Sequence, residues 1–134
     1  ASKKKLENVL FFDEIDSKEI SSLLGHCHVG LVALDPRHKS HNIPGKFLTY
    51  MQAGLPVLAR LNRGTDLDLL IKSEGVGKVY SGSEIEGFKH LAEDLIDDIS
   101  TLKQMSKKGQ ALSSSMFSSE SAVKQIVNSL HNFD

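Results

Sequence analysis

The chain has 134 residues, enough for one domain with its own core. Apolar residues make up 40% and charged residues 25%, with a formal net charge of −1; this is the balance of an ordinary globular protein, without the basic surface that holds nucleic acid by charge. No apolar run approaches the ~18 residues needed to cross a bilayer, no signal peptide is visible, and the single Cys27 excludes an internal disulfide and fits a reducing compartment.

Asn8 to Phe12, "NVLFF", is a short apolar run that stops at Asp13-Glu14, the pattern of a buried strand. Asp16 and Glu19 have the spacing of a helix start, with Asp in the usual place of Ser or Thr. Ile20, Leu23, Leu24 and Cys27 follow at helical spacing, which predicts a helix over 17–26 with that face buried. "VGLVAL", 29–34, is apolar throughout and predicts a strand covered on both faces. Residues 35–44 form a polar loop. A helix begins near Gly45, continues through Leu48, Met51 and Gln52, and is closed by Gly54. "PVLAR", 56–60, predicts a third strand. Thr65 caps a helix over 66–73 that turns Leu67, Leu70 and Ile71 inward and ends at Gly75. "GKVY", 77–80, is the fourth strand.

Beyond Ser81 the pattern is helical. Segment 84–98 carries an inward stripe of Ile85, Phe88, Leu91, Leu95 and Ile99. Segment 100–115 is weakened by Gly109, by ~1 kcal/mol relative to alanine. Segment 119–131 has Ser118 or Ser119 as its N-cap and Ala122, Ile126, Val127 and Leu130 on its inward face. Alternating strands and helices predict an α/β fold. It is an open, Rossmann-like parallel sheet of about four strands in three layers, with helices on both faces and a helical tail. The chain reads as one domain, with the α/β core at 8–82 and the C-terminal helices at 83–134. Ligands of such sheets sit beyond the carboxyl ends of the strands, where loops 13–16, 35–45 and 61–65 meet.

The most distinctive segment is "SHNIPGKFLTYMQAGLPVLAR", 40–60. A helix beginning at Gly45 leaves its first amides unpaired, and their positive end favours an anion by ~0.3–1 kcal/mol at a surface. Gly45 removes the side chain that would block a phosphate, and Lys46 adds a full charge. The same residues would also serve as a plain turn with a solvated lysine. This is not a Walker loop, because one glycine precedes the lysine and no Ser or Thr follows it. Gly75-Val76-Gly77 precedes a strand and lacks the third glycine of a dinucleotide fingerprint. His26, Cys27 and His28 are adjacent and diverge, and His38 and His41 have no acidic or sulfur partner nearby, so no metal is expected. Asp13, Glu14 and Asp35 at strand ends admit an alternative, a non-catalytic receiver-like signalling domain phosphorylated on Asp35. The interval from Glu14 to Asp35 is too short for the extra strand and helix of a receiver. Leu61-Asn62 and Tyr80-Ser81 stand where it needs a Ser or Thr and a lysine.

"NVLFFDEIDSKEISSLLGHCHVGLVAL", then "NIPGKFLTYMQAGLPVLA" and "DLDLLIKSEGVGKVY", resembles the C-terminal half of a group 1 glycosyltransferase, glycosyltransferase family 4. Asn42, Pro44, Lys46, Tyr50, Met51, Gly54, Pro56 and Val57 match the loop-helix pattern of bacterial members that build lipopolysaccharide and capsule sugars. The likeness runs from about Asn8 to Leu130. It implies part of a GT-B enzyme that retains anomeric configuration, uses no bound metal, and takes its sugar from a nucleoside diphosphate sugar, here a UDP-sugar. The implied acceptor is a glycan or lipid-linked sugar held by an N-terminal domain outside this chain, so the chain alone is expected to be inactive. The resemblance also implies a cytoplasmic location, at the inner face of the membrane where polysaccharide is assembled.

Carried over by position, His41, Asn42, Ile43, Pro44, Gly45 and Lys46 face the donor sugar and its diphosphate. Thr49 lies by the ribose, and Glu14 and Ile15 border the base. No residue is assigned as a catalytic acid or base. The chain departs from the family at the Glu-x7-Glu pair, where His41 and Thr49 stand. A carboxylate accepts from both ribose hydroxyls in a way that one hydroxyl cannot. Another group then holds the ribose, or donor binding is weaker, or this copy has drifted.

Overall fold

The computed structural model of the chain describes residues 6–35 and 42–131. Three strands, β1 (Gly30–Ala33), β2 (Val57–Arg60) and β3 (Gly77–Tyr80), pair in parallel in the order β1-β2-β3. Gly30 stands beside Val57, and Val57 beside Gly77; at the other end Ala33 stands beside Arg60, and Arg60 beside Tyr80. The helices are α1 (Ser17–Leu24), α2 (Gly45–Ala53), α3 (Asp66–Glu74), α4 (Ile85–Asp97), α5 (Ile99–Met116) and α6 (Ser119–His131). The pleat sends alternate residues to opposite faces. Val32, Val57 and Ala59 face one side, in a core with Phe47 and Met51 of α2, Leu67 and Ile71 of α3, and Leu112 of α5. Leu58 faces the other side, against Leu95 of α4 and Met105 of α5. Helices therefore cover both faces of an open parallel α/β sheet.

Among the described residues the sheet has three strands where the sequence pattern predicts four. Residues 8–12 form no strand, and the Leu10 and Phe11 side chains are 76% exposed. Strands are stabilised by cross-strand pairs, and this run has none among the described residues. The same openness reaches β1, expected to be covered on both faces: Leu31 is 50% exposed, because α4 and α5 pack over Leu58 and leave it uncovered. The α1 helix ends two residues early and buries no side chain. The Asp16 carboxylate does cap it, accepting from the Lys18 amide at 2.9 Å. Cys27, expected in the core, lies past the helix end and is exposed.

The stripes of the tail are also overstated by periodicity. In α4, Leu95 is buried and Phe88 and Leu91 are half-buried, but Ile85 is exposed, as is Ile99 at the start of α5. Thirteen helical residues span about 20 Å, against about 13 Å for a four-residue strand, so the ends overhang. In α6, Ala122, Ile126 and Val127 are exposed where they were expected inward. The Leu130 side chain lies outside the described residues.

Local signals fare better. Gly54 closes α2 in the left-handed region at φ 70°, which costs glycine nothing sterically. Thr65 caps α3 by accepting from the Asp68 amide at 3.3 Å. Gly109 has its own reason: a Cβ there would stand 3.1 Å from Met51 Sδ, so the glycine lets α5 lie against α2.

Asp68 is the one buried carboxylate among the described residues, 2% exposed. It accepts from the Gly64 amide at 2.8 Å and pairs with Lys72 at 2.5 Å. Burial alone raises its pKa, but the hydrogen bonds from Lys72 and Gly64, with the charges of Lys72 and Arg63, hold it below the ordinary 3.8. A carboxyl whose pKa is lowered by folding stabilises the fold above its unfolded pKa and loses that contribution as pH falls through the folded value. Asp68→Asn is therefore expected to cost about 1–3 kcal/mol at neutral pH. Urea denaturation of both proteins should show the gap closing as pH falls below the ordinary carboxylate value of 3.8.

Candidate functional site

α2 follows β1 and runs back against the strands to reach β2, so its first residue lies at the carboxyl edge of the sheet. The ladder continues to that edge: the Leu34 amide donates to Arg60 O, and the Leu61 amide to Tyr80 O, each at 3.1 Å. Pro44 is the N-cap of α2, at φ −63° and ψ 139°, and no side chain among the described residues caps the helix. The Phe47 amide donates to Pro44 O at 2.9 Å and closes the first turn. The earliest amides, at Gly45 and Lys46, have no acceptor within the helix.

Gly45 is exposed, and a Cβ built there would meet nothing within 4 Å among the described residues. Packing among the described residues does not require glycine at this position. Lys46 is exposed and makes no ion pair among the described residues. Ile43 is half-buried against the apolar core and anchors the segment, while Asn42 is exposed. The structure thus brings Asn42, Ile43, Pro44, Gly45 and Lys46 into one continuous approach to an uncapped helix start. His41 lies outside the described residues.

Thr49 sits half-buried on the flank of α2 that faces α1, in a cavity of about 180 Å³ with Ser21, Leu24 and Gln52. Its hydroxyl donates back to Gly45 O at 3.2 Å. A hydroxyl has one proton, so in this conformation Thr49 can only accept from a ligand. Glu14 is exposed and Ile15 half-buried in the irregular stretch before α1. No hydrogen bond or ion pair joins them to 42–46 among the described residues. Asp35 is exposed just beyond β1. The described residues contain no cluster of three side chains that could hold a metal ion, and no helix long and apolar enough to cross a membrane.

One feature of the edge escapes a reading of the sequence alone. Arg60, Asn62, Ser81 and Gly82 line a cavity of about 140 Å³ between the ends of β2 and β3, with Leu34 and Leu61 as its apolar wall. The spacing marks Arg60 only as the end of a strand and Ser81 only as a turn. The signal lies in the pairing: residue 60 stands opposite residue 80, so polar groups just past each strand meet at one edge. A wider groove of about 890 Å³ opens at the opposite, amino edge, between Cys27, Pro56, Ile99 and Lys103. No family model matches the chain, and no curated protein and no solved structure matches it significantly.

Proposed function

We propose that the chain is the donor-binding part of a retaining glycosyltransferase. It takes a sugar from a nucleoside diphosphate sugar, a UDP-sugar, for transfer to a glycan or lipid-linked acceptor in cell-surface polysaccharide synthesis. The observation that carries this reading is the start of α2 at the carboxyl edge, where, among the described residues, no side chain caps the helix, nothing stands within 4 Å of a Cβ at Gly45, and Lys46 makes no ion pair. The quoted resemblance supplies the ligand: the anion at that helix start is the diphosphate.

Breaking the anomeric C–O bond leaves the electron pair on the diphosphate, whose negative charge grows. The helix start and Lys46 stabilise that growing charge more than the ground state, which is how an oriented dipole lowers a barrier. Asn42 and Ile43 border the sugar, Thr49 accepts from a ribose hydroxyl, and Glu14 and Ile15 border the base, partly through backbone groups. The acceptor and its domain belong to the longer enzyme of this proposal.

Calorimetric titration with UDP and with uridine tests it. Lys46→Ala should weaken UDP binding by about 1 kcal/mol, roughly fivefold in Kd, and leave uridine binding unchanged. Equal affinity of both proteins for UDP would contradict the phosphate role.

A further inference from the structure

We infer that the wide groove at the amino edge of the sheet binds a single-chain aliphatic carboxylate, with its chain along the apolar walls and its charged head at Lys103 and Lys107. The groove lies at the opposite edge from the start of α2, so the inference does not depend on the donor reading.

One face of α5 builds much of the groove. Ile99, Leu102, Lys103, Ser106 and Lys107 line it, at the i, i+3, i+4, i+7, i+8 spacing of a single helix face. That face is graded. Ile99 and Leu102 come first, with Ile96 of α4 on the same wall, and Lys103 and Lys107 follow one turn apart. Leu55 and Pro56, which lead into β2, form a second apolar wall. The backbone of that wall is already engaged. The Gly54 and Leu55 amides donate to Met51 O and Tyr50 O, at 3.1 and 2.8 Å, and Pro56 O accepts from the Gly30 amide at 2.9 Å. Proline has no amide to offer. A ligand therefore meets apolar surface with cations at one end.

Charge sets the class of ligand. Lys103 and Lys107 are exposed and make no ion pair among the described residues. No carboxylate lines the groove. Asp98, beside Ile99, commits its carboxylate to the Thr101 amide and hydroxyl, at 2.9 and 2.6 Å. The groove thus matches an anion and repels a cation. Size and surface set the rest. About 890 Å³ lies within the ~300–1,000 Å³ of small-ligand pockets. Ile96 and Ile99 are 55% and 63% exposed, and covering such surface is favourable. Each methylene fully removed from water improves affinity by about fourfold. An exposed ion pair adds at most about fivefold. The chain therefore supplies most of the affinity, and the lysines fix which end points where.

The test is a titration of the isotope-labelled chain with sodium octanoate and sodium decanoate below their micelle concentrations, read at the backbone amides. Saturable shifts are expected at Leu55, Ile99, Leu102 and Lys103. Decanoate should bind severalfold more tightly than octanoate, and acetate, which has the charge and no chain, should give no saturable shift. Octanol, which has the chain and no charge, should bind about fivefold more weakly than octanoate. Replacing both lysines, Lys103→Gln with Lys107→Gln, should remove that difference and leave octanol binding unchanged. Ile99→Asn, at an exposed position, should weaken both ligands. Octanol equal to octanoate in wild type, octanoate binding unchanged in the double variant, or no gain from octanoate to decanoate would each overturn the assignment. So would the absence of saturable decanoate shifts in a chain that sediments with phosphatidylglycerol vesicles, which would give the groove to a membrane surface instead.

Discussion

Gly77→Ala is expected to destabilise the fold by more than about 3 kcal/mol, above the usual 1–3 kcal/mol for overpacking. A Cβ at Gly77 would overlap the Val57 carbonyl oxygen and come within 2.9 Å of its carbonyl carbon. These are backbone atoms of the register partner on β2, so no rotamer change relieves the collision. Val57 cannot retreat: its side chain is fully buried, and its amide donates to Val76 O at 3.1 Å. The first rungs of the β2–β3 ladder would have to part, at the strand that carries both cores. Urea denaturation reads the effect directly. A Gly77→Ala protein within about 1 kcal/mol of wild type would contradict the register.

Phe47→Ala should cost about 3–5 kcal/mol, the usual range for removing a buried aromatic ring. Phe47 is fully buried two residues after Gly45 and meets Phe117 edge-to-face, with ring centroids 6.4 Å apart at 90°. Its ring fixes the first turn of α2 against the sheet, and so fixes where the helix start points. The variant should therefore lose UDP affinity even where it remains folded, whereas Lys46→Ala should lose affinity at unchanged stability. Denaturation and calorimetry on the two variants separate holding the site from forming it. Phe47→Ala binding UDP as wild type does would show that the first turn of α2 is not the site.

What could be read from the sequence was local. Gly54, Gly75 and Thr65 act within a few residues of themselves, and each terminates or starts its helix as expected. The 77–80 strand appears with the expected bounds. What failed required knowing a neighbour. Periodicity says that Leu10, Leu31, Cys27 and Val127 are apolar enough to be covered, but not whether anything covers them, and all four are exposed. The site divides the same way. The approach 42–46 was legible because a helix start is defined by its own residues. The Arg60–Ser81 cavity was not, because its halves lie on two strands joined only by register. The Thr49 bond to Gly45 depends on a rotamer that no spacing shows.

The central claim is that the start of α2 binds the diphosphate of a sugar nucleotide. Amide shifts of the labelled chain titrated with millimolar UDP test it most directly. The largest saturable shifts should fall at Ile43, Gly45, Lys46 and Phe47, and Lys46→Ala should shrink them. Shifts centred instead on the amino-edge groove of Cys27, Pro56 and Lys103, or a pattern in 43–47 indifferent to Lys46, would contradict the account.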